Sequence, residues 1–384
     1  MTLVSRAEEI AALGLAWFGL SGGSCLLTLL KEVGPLAIWR ASEETLMKWG
    51  VGAQAAGFFG EGRAHFDGAK VSALLAEMDM QFIPFGSGLY PAELCHLEHP
   101  PAGLFVRGPS HRWKGLLETP RITVVGTRKA TPDGLRAAEA FVQGFCGRGI
   151  SVISGMAFGI DARAHKAALD VGGSTVAVLG CGADVVYPRN HCWLYEKLVE
   201  TGVVASELPP GSPPTRWSFP RRNRLLAALG DAVLVIEGSN ASGALQTAKW
   251  ALDLGRPVFS VPGSIFKEGC QGCNTLLYEG ATPALRPEVT VEDFLKETRM
   301  VRGTREAPGT DRVAKGEQCA LRLEAALESR SRQVLEALTA GPASVDRLVE
   351  LTGLAVREVC VALGELEVGG AIRRGDPGMY LRAP

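Results

Sequence analysis

Six short runs of apolar, mostly β-branched residues recur roughly every 25–30 residues through the middle of the chain. They occupy residues 122–125, 151–153, 175–179, 203–205, 232–236 and 257–261. Stretches long enough for helices, such as 134–146 and 161–169, separate them. Continuous apolar strands that alternate with helices are typical of a parallel sheet covered on both faces. The pattern therefore predicts an α/β fold with a doubly wound, Rossmann-like parallel sheet over residues 80–298.

Different patterns flank this central domain. Over residues 1–75, apolar residues at helical spacing alternate with glycine-bearing turns, which predicts a small helical domain of the SAM or helix-hairpin type. That domain could contact a DNA backbone, dock a protein or serve only for packing. Residues 299–324, rich in charge and glycine, are predicted to be a linker. Residues 325–384 predict a winged-helix domain, with helices at 331–338, 345–351 and 356–367 and strands at 371–374 and 379–382.

The composition is that of an ordinary globular protein. Hydrophobic residues make up 46% of the chain and charged residues 21%, which excludes a disordered chain. The formal net charge is −1, so the total charge does not indicate a polyanionic partner. A nucleic-acid site would therefore have to be a local basic patch.

The cellular location is inferred from the amino-terminal segment and the cysteines. Residues 10–30 carry no charge, and 21 such residues could span a bilayer. However, Gly22 and Gly23 interrupt the segment and Glu8 and Glu9 precede it, which argues against a spanning helix or a signal peptide. We expect two short helices joined by a Ser-Gly-Gly turn, and no membrane span. Without a secretory leader, the odd count of nine cysteines predicts reduced thiols in a cytoplasmic protein.

Glycine-containing loops follow several of the predicted strands. In an open parallel sheet, ligands bind outside the carboxyl ends of the strands. Glycines there let backbone N–H groups approach a phosphate, and helix amino termini add partial positive charge. The loops cover residues 126–128, 154–161, 180–182 and 242–245 and together predict an anion site. Asp161 and His165 could touch the ligand there or only cap and pin the following helix.

Several common catalytic and cofactor motifs are missing from the sequence. There is no G-x-x-x-x-G-K-[ST] for a P-loop, no G-x-G-x-x-G after the first strand, and no G-x-S-x-G nucleophile elbow after any predicted strand. Cys270 and Cys273 form one C-x-x-C, but no second pair lies at zinc-ribbon spacing. We therefore expect no enzymatic activity, no cofactor and no metal site.

The strongest local charge pattern lies between Pro209 and Gly230, where no acidic residue occurs. The segment interleaves cations with rings: Arg216, Trp217, Phe219, Arg221, Arg222 and Arg224. Arginine forks pair with phosphates, and exposed rings stack on unpaired bases. The pattern thus predicts contact with a single-stranded nucleic acid. Alternatively, Trp217 belongs to the core, and one or two of the arginines serve internal carboxylates.

Ordered motifs over residues 80–290 resemble those of the DNA-processing protein DprA (Smf) family. They are Val125-Gly-Thr-Arg128, Ser154-Gly-Met-Ala-Phe-Gly-Ile-Asp161 with His165, Ala177-Val-Leu-Gly180, Tyr187-Pro188, Phe219-Pro-Arg-Arg-Asn-Arg224, Ser242-Gly-Ala-Leu-Gln-Thr247 and Val261-Pro-Gly263. The family often has Ser-Gly-Ser-Leu where this chain has Ser242-Gly-Ala-Leu, which removes one hydroxyl.

The resemblance implies a bacterial cytoplasmic protein that coats and protects incoming single-stranded DNA during natural transformation and loads RecA upon it. Carried over by motif, the family's DNA pocket falls on Arg128, Arg216 and Phe219. With the strand-end loops, the expected DNA-binding residues are Gly126, Thr127, Arg128, Lys129, Ser154, Gly155, Arg216, Phe219, Arg221, Asn223, Arg224, Ser242 and Gly243. The resemblance also implies a homodimer, with an interface at Leu276, Leu277 and Leu285.

Two other functions remain possible at this stage. One is an enzyme similar to the LOG-type nucleoside-monophosphate hydrolases, but their catalytic Glu is missing from residues 242–250, where Thr247 is followed by Ala, Lys and Trp. The other is a winged-helix transcription regulator with a ligand-sensing α/β domain. Its candidate recognition helix, 356–367, has a net charge of −2 and would be repelled by phosphates.

Overall fold

A computed structural model of the chain describes residues 5–18 and 29–303 as two continuous stretches. Toward the carboxyl terminus it describes residues 333–338, 341, 343–354, 359, 362–363, 366, 372–374 and 379–382.

The amino-terminal part is helical, with α1 (Arg6–Phe18), α2 (Gly34–Arg40), α3 (Glu43–Lys48), α4 (Ala53–Ala64) and α5 (Gly68–Glu77). Local side chains start several of these helices: the Ser42 hydroxyl caps α3, and the Asp67 carboxylate accepts from two N–H groups at the start of α5. The rings of Trp39 and Phe59 pack edge to face, 5.5 Å apart. The expected Ser-Gly-Gly turn lies outside the described residues. No helix in the described residues is long and apolar enough to cross a membrane.

A nine-stranded sheet forms the core of the central domain. Its strands are β1 (Met80–Pro84), β2 (Gly103–Arg107), β3 (Arg121–Gly126), β4 (Ser151–Ser154), β5 (Thr175–Val178), β6 (Val203–Ser206), β7 (Ala232–Ile236), β8 (Val258–Ser260) and β9 (Thr282–Pro283). They lie in the order β1-β2-β6-β5-β4-β3-β7-β8-β9. Strands β3 to β9 pair in parallel, whereas β1 and β2 add an antiparallel edge beside β6. The strand order reverses between β3 and β7, which makes their carboxyl ends the switch point of the sheet.

Helices cover both faces of this sheet, as the apolar strands require. They are α6 (Ser110–Glu118), α7 (Pro132–Cys146), α8 (Ile160–Asp170), α9 (Cys192–Thr201), α10 (Ser218–Leu229), α11 (Gly243–Asp253), α12 (Glu268–Tyr278) and α13 (Pro287–Gly303). One core joins α7, α8 and α13 to the sheet, and another joins α6, α10, α11 and α12. The predicted doubly wound α/β fold is confirmed. The antiparallel edge was not predicted, and α13 continues into the first residues of the expected linker.

The carboxyl-terminal residues form a small unit with its own apolar core. It contains β10 (Ala343–Ser344), α14 (Val345–Thr352), β11 (Ile372–Arg374) and β12 (Met379–Arg382), and its strand order is β10-β12-β11. The hydroxyl of Ser344 caps α14, and Gly353 ends it at a φ of 68°. The hairpin of β11 and β12 matches the predicted wing, and β10 was not expected. Most of the predicted helix 356–367 lies outside the described residues.

Candidate nucleic-acid interface

A pocket opens at the carboxyl edge of the sheet, where β3, β4 and β5 end beside one another. Parallel pairing brings the loops after these three strands together. The pocket is lined by Arg128, Gly155, Ala157, Phe158, Leu179, Gly180, Cys181, Tyr187, Pro188 and Phe219. Three of the residues expected to bind DNA, Arg128, Gly155 and Phe219, thus lie in one cavity.

An arginine and a phenylalanine form the mouth of the pocket. The exposed guanidinium of Arg128 lies 5.4 Å from the centre of the Phe219 ring. The Tyr187 ring packs on Phe219 with centroids 5.2 Å apart. Any side chain at Gly180 would come within 2.9 Å of Phe219, so the glycine leaves the room in which the ring sits. The mouth therefore combines a cation for a phosphate with a half-exposed ring for a base.

The loop between β4 and α8 forms the floor of the pocket, and a buried carboxylate holds its backbone in place. Met156 adopts the left-handed conformation, with a φ of 55°, which a non-glycine residue rarely does. The buried Asp161 carboxylate accepts from the N–H groups of Gly155 at 3.2 Å and Ala157 at 3.4 Å. These two hydrogen bonds hold the loop in place, so Asp161 has the structural one of the two roles considered for it.

His165 also has a structural position. Its Nδ1 lies 2.8 Å from the hydroxyl of Thr175, beneath the sheet edge and away from solvent. Burial lowers the pKa of His165 to about 3, so its ring is neutral near pH 7. A neutral, fully buried imidazole does not reach a phosphate at the pocket mouth.

Arg222 lies inside the protein and acts as a tie. Its guanidinium donates to the carbonyl of Gly155 at 2.9 Å and also to the carbonyl of Val178. It therefore joins the ends of β4 and β5 to α10. Gly155 packs so closely against this guanidinium that any larger residue would displace it. Arg222 supports the pocket and does not face the solvent.

The arginines that follow also meet an internal carboxylate. Arg224 is buried and forms an ion pair with Glu207, which is buried as well. Arg221 is half-buried, with its Nε 3.5 Å from the other Glu207 oxygen. The expectation that Arg224 contacts DNA phosphate is wrong, because its guanidinium is already paired in the interior. Arg221 keeps part of its side chain in solvent.

The turn before α10 presents a cation and a large ring to solvent. Arg216 stacks over Trp217 at 4.7 Å from the ring centre, and 71% of Trp217 is exposed. Reciprocal hydrogen bonds between Thr215 and Ser218 fix this turn. The alternative that Trp217 belongs to the core is wrong.

The other expected DNA-binding residues have varied positions. Lys129 and Gly243 are exposed, and Gly126 and Thr127 are half-buried. Asn223 is buried and donates to the Gly243 carbonyl at 3.3 Å, which links α10 to the start of α11 where Ser242 lies. Ser154 is fully buried and its hydroxyl donates to the carbonyl of Val124, so this side chain does not reach the pocket mouth.

The carboxylate of Glu237 lies at the amino terminus of α7, at the switch point of the sheet. Glu237 follows β7 and accepts from the N–H of Thr131 at 2.8 Å. Thr131 caps α7, so the negative charge also stabilises that helix terminus. Gly134 lies against the same carboxylate with no room for a side chain. The place where Rossmann-like domains bind a pyrophosphate is thus occupied by the chain itself.

The expected dimer residues separate into core and surface. Leu276 lies on the buried face of α12 and packs in the core. The expectation that it lies in an interface is wrong because its side chain is buried. Leu277 is half-buried, whereas Leu285 is 67% exposed. Tyr278, which ends α12, is also exposed.

Three other ring side chains at the pocket were not among the expected DNA-binding residues, although Phe158 and Tyr187 lie within the motifs quoted above. Phe158 and Tyr187 line the pocket, and His191 packs edge to face on Phe158. The available signal was a large aromatic residue inside a strand-end loop, between Ala157 and Gly159.

Comparisons with known proteins agree with this geometry. The family model described as DNA recombination-mediator protein A matches residues 81–297, and the DprA winged helix domain matches residues 320–378. The Smf protein of Synechocystis is 34% identical, over 78% of this chain and 79% of its own length. The Smf protein of Escherichia coli is 36% identical, over 80% and 79%.

Two solved structures are also similar. The DNA processing protein A of Streptococcus pneumoniae superposes with a TM-score of 0.64 at 30% identity, covering 77% of this chain and 99% of that one. The Helicobacter pylori protein, described for its single-stranded DNA binding mode, superposes with a TM-score of 0.51 at 28% identity, covering 56% and 96%.

Proposed function

Because the chain belongs to the DNA recombination-mediator protein A (DprA/Smf) family, we propose that it binds single-stranded DNA at the carboxyl edge of its sheet. In this proposal it protects incoming strands during natural transformation and loads the RecA recombinase upon them. The observation that carries the proposal is the exposed Arg128 guanidinium over the Phe219 ring, at the mouth of a glycine-walled pocket.

This arrangement favours single strands over duplex DNA. Half-exposed rings such as Phe219 can stack only on bases that are not paired within a duplex. Arg128 and Arg216 supply cations beside these rings, while Gly180 and Gly155 bring backbone close to the strand. Because every base has a face that can stack, the site should show little sequence preference.

We further propose that the protein is not an enzyme. Asp161 and His165, two titratable residues under the pocket, are buried, and the Asp161 carboxylate and His165 Nδ1 already have hydrogen-bond partners. Neither is placed to activate water or a nucleophile at the mouth. The hydrolase alternative gains no support, since Trp250 stands where its catalytic Glu would be sought.

The proposed homodimer would use the exposed surface at the end of α12 and the segment after it. Tyr278 and Leu285 are large side chains left in solvent there, and Val289 on α13 adds to the surface. Two pockets on one dimer would hold a long strand by effective concentration, so a dimer binds long strands more tightly than a monomer.

Two measurements test the proposal. Fluorescence anisotropy with labelled oligo-dT and a matched duplex should give tighter binding of the single strand. RecA filament formation on single-stranded DNA should start sooner when the protein is present. The Arg128→Ala variant, checked for folding by circular dichroism, should be deficient in both assays. Equal affinity for both DNA forms would contradict the binding proposal, and unchanged RecA filament formation would contradict the loading proposal.

A further inference from the structure

The loop after β4 holds one large side chain out toward solvent. Phe158 is 42% exposed and lines the same pocket as Phe219. Among the described residues, no ring contact joins the two phenylalanines, so they form separate surfaces of one site. An apolar ring left in solvent adds little to the stability of the fold, so its exposure favours a role in binding.

The chain fixes the position of Phe158 from both sides. Before it, Met156 takes the left-handed conformation, and Asp161 accepts from the N–H of Ala157. After it, Gly159 has a φ of 77°, and the N–H of Ile160 donates to the carbonyl of Thr127 at 3.3 Å. The loop is thus joined to the one that carries Arg128, and the ring is presented in a defined place.

A histidine packs against this ring. The His191 ring lies 4.8 Å from the Phe158 centroid at an interplanar angle of 70°. Its Nδ1 is 3.1 Å from the carbonyl of Met156, to which it can donate. The contact is edge to face, and 42% of Phe158 stays exposed beside it. The exposed Arg189 lies two residues before His191 and directly follows Pro188, which lines the pocket.

We propose that Phe158, braced by His191, is a second base-stacking position, so that one subunit holds two bases of the same strand on two rings. This inference rests on the proposed function of the site. The strand would pass from Phe219 across the pocket mouth to Phe158, with Arg128 and Arg189 beside its phosphates.

The test uses full-length protein and the shortest oligo-dT that binds with full affinity. A single abasic site is moved along the strand, and affinity is measured at each position. The wild-type protein should be sensitive at two positions. The Phe158→Leu variant, which keeps apolar volume, should lose sensitivity at one of them, and Phe219→Leu should lose it at the other. Phe158→Leu should also weaken binding by about fivefold or more.

Two further variants make the result specific. Phe158→Tyr keeps the ring and should restore both sensitive positions. Phe58→Leu changes a ring of similar exposure, 48%, on α4, and should leave the affinity and the abasic map unchanged. Wild-type affinity and two sensitive positions in Phe158→Leu would overturn the inference and leave the proposed function intact. Failure of the wild-type protein to prefer single strands would overturn the proposed function itself.

Discussion

The arginines of α10 and its neighbouring loops should separate into two classes when binding and stability are measured together. Arg128 and Arg216 are exposed and have rings as their neighbours, whereas Arg224 is buried in an ion pair with Glu207. The first class should control the salt dependence of DNA binding. The second class should control folding stability.

The magnitudes follow from the number of cations in solvent. Each phosphate contact to a single strand contributes about −0.7 to the slope of log affinity against log salt. Arg128 and Arg216 together predict a slope of about −1.4 per site, and Lys129, also exposed, would bring it to about −2.1. Four contacts, which would include Arg221 and Arg224, would give a slope of about −2.8.

The perturbations are Arg128→Ala and Arg224→Gln, compared with wild type by anisotropy titration of oligo-dT at several salt concentrations. Arg128→Ala should flatten the slope by about 0.7 and leave the urea midpoint unchanged. Arg224→Gln should leave the slope unchanged and lower the free energy of unfolding by about 3–5 kcal/mol, because Glu207 stays buried with a weaker partner.

Arg224→Lys, which keeps the charge, is the matched control and should be less destabilising than Arg224→Gln. The reasoning would be refuted if a folded Arg224 variant flattened the slope as Arg128→Ala should. It would also be refuted if Arg128→Ala kept the wild-type slope.

Four other substitutions test three separate parts of the structure. Phe219→Ala should weaken oligo-dT binding by about 1–3 kcal/mol without changing the salt slope; a changed slope would contradict a stacking role. Burial lowers the pKa of His165 from 6.5 to about 3, so between these values only the unfolded chain takes up the proton. The free energy of unfolding therefore decreases as the pH is lowered through this range. His165→Asn should remove about 1.4 kcal/mol per pH unit of that dependence in urea titrations, and an unchanged profile would contradict the buried neutral ring. Leu285→Asp should give a monomer by analytical ultracentrifugation with little loss of stability, whereas Leu276→Asp should unfold the domain; the reverse result would contradict the surface assigned to the dimer.

The sheet could be predicted from the sequence wherever strands were buried on both faces. Runs such as β7 (Ala232–Ile236) have no polar residue, and helices separate them. The pattern alone therefore predicts that the strands are parallel and that the loops after them meet at the carboxyl edge of the sheet. The antiparallel pair β1 (Met80–Pro84) and β2 (Gly103–Arg107) was missed, because no helix-length pattern separates two strands that are joined by a loop and a 3₁₀ turn.

The site could be predicted less completely, because tertiary contacts decide which cations are free. The segment without acidic residues begins at Leu208, one residue after Glu207, the carboxylate that pairs with Arg221 and Arg224. Charge pattern along the chain could not show this pairing, since Glu207, which follows β6 (Val203–Ser206), meets α10 only in the folded domain. Phe158 was missed for a similar reason: its exposure depends on the conformation of Met156, which the sequence does not reveal.

The most direct test of the account compares single-stranded and duplex DNA on the full-length protein and on the Arg128→Ala/Arg216→Ala double variant. In moderate salt the wild-type protein should bind oligo-dT more tightly than a matched duplex. The double variant, shown to be folded, should lose that preference and about 1.4 of the salt slope. A double variant that bound oligo-dT with wild-type affinity and slope would contradict the central claim that this edge of the sheet holds the strand.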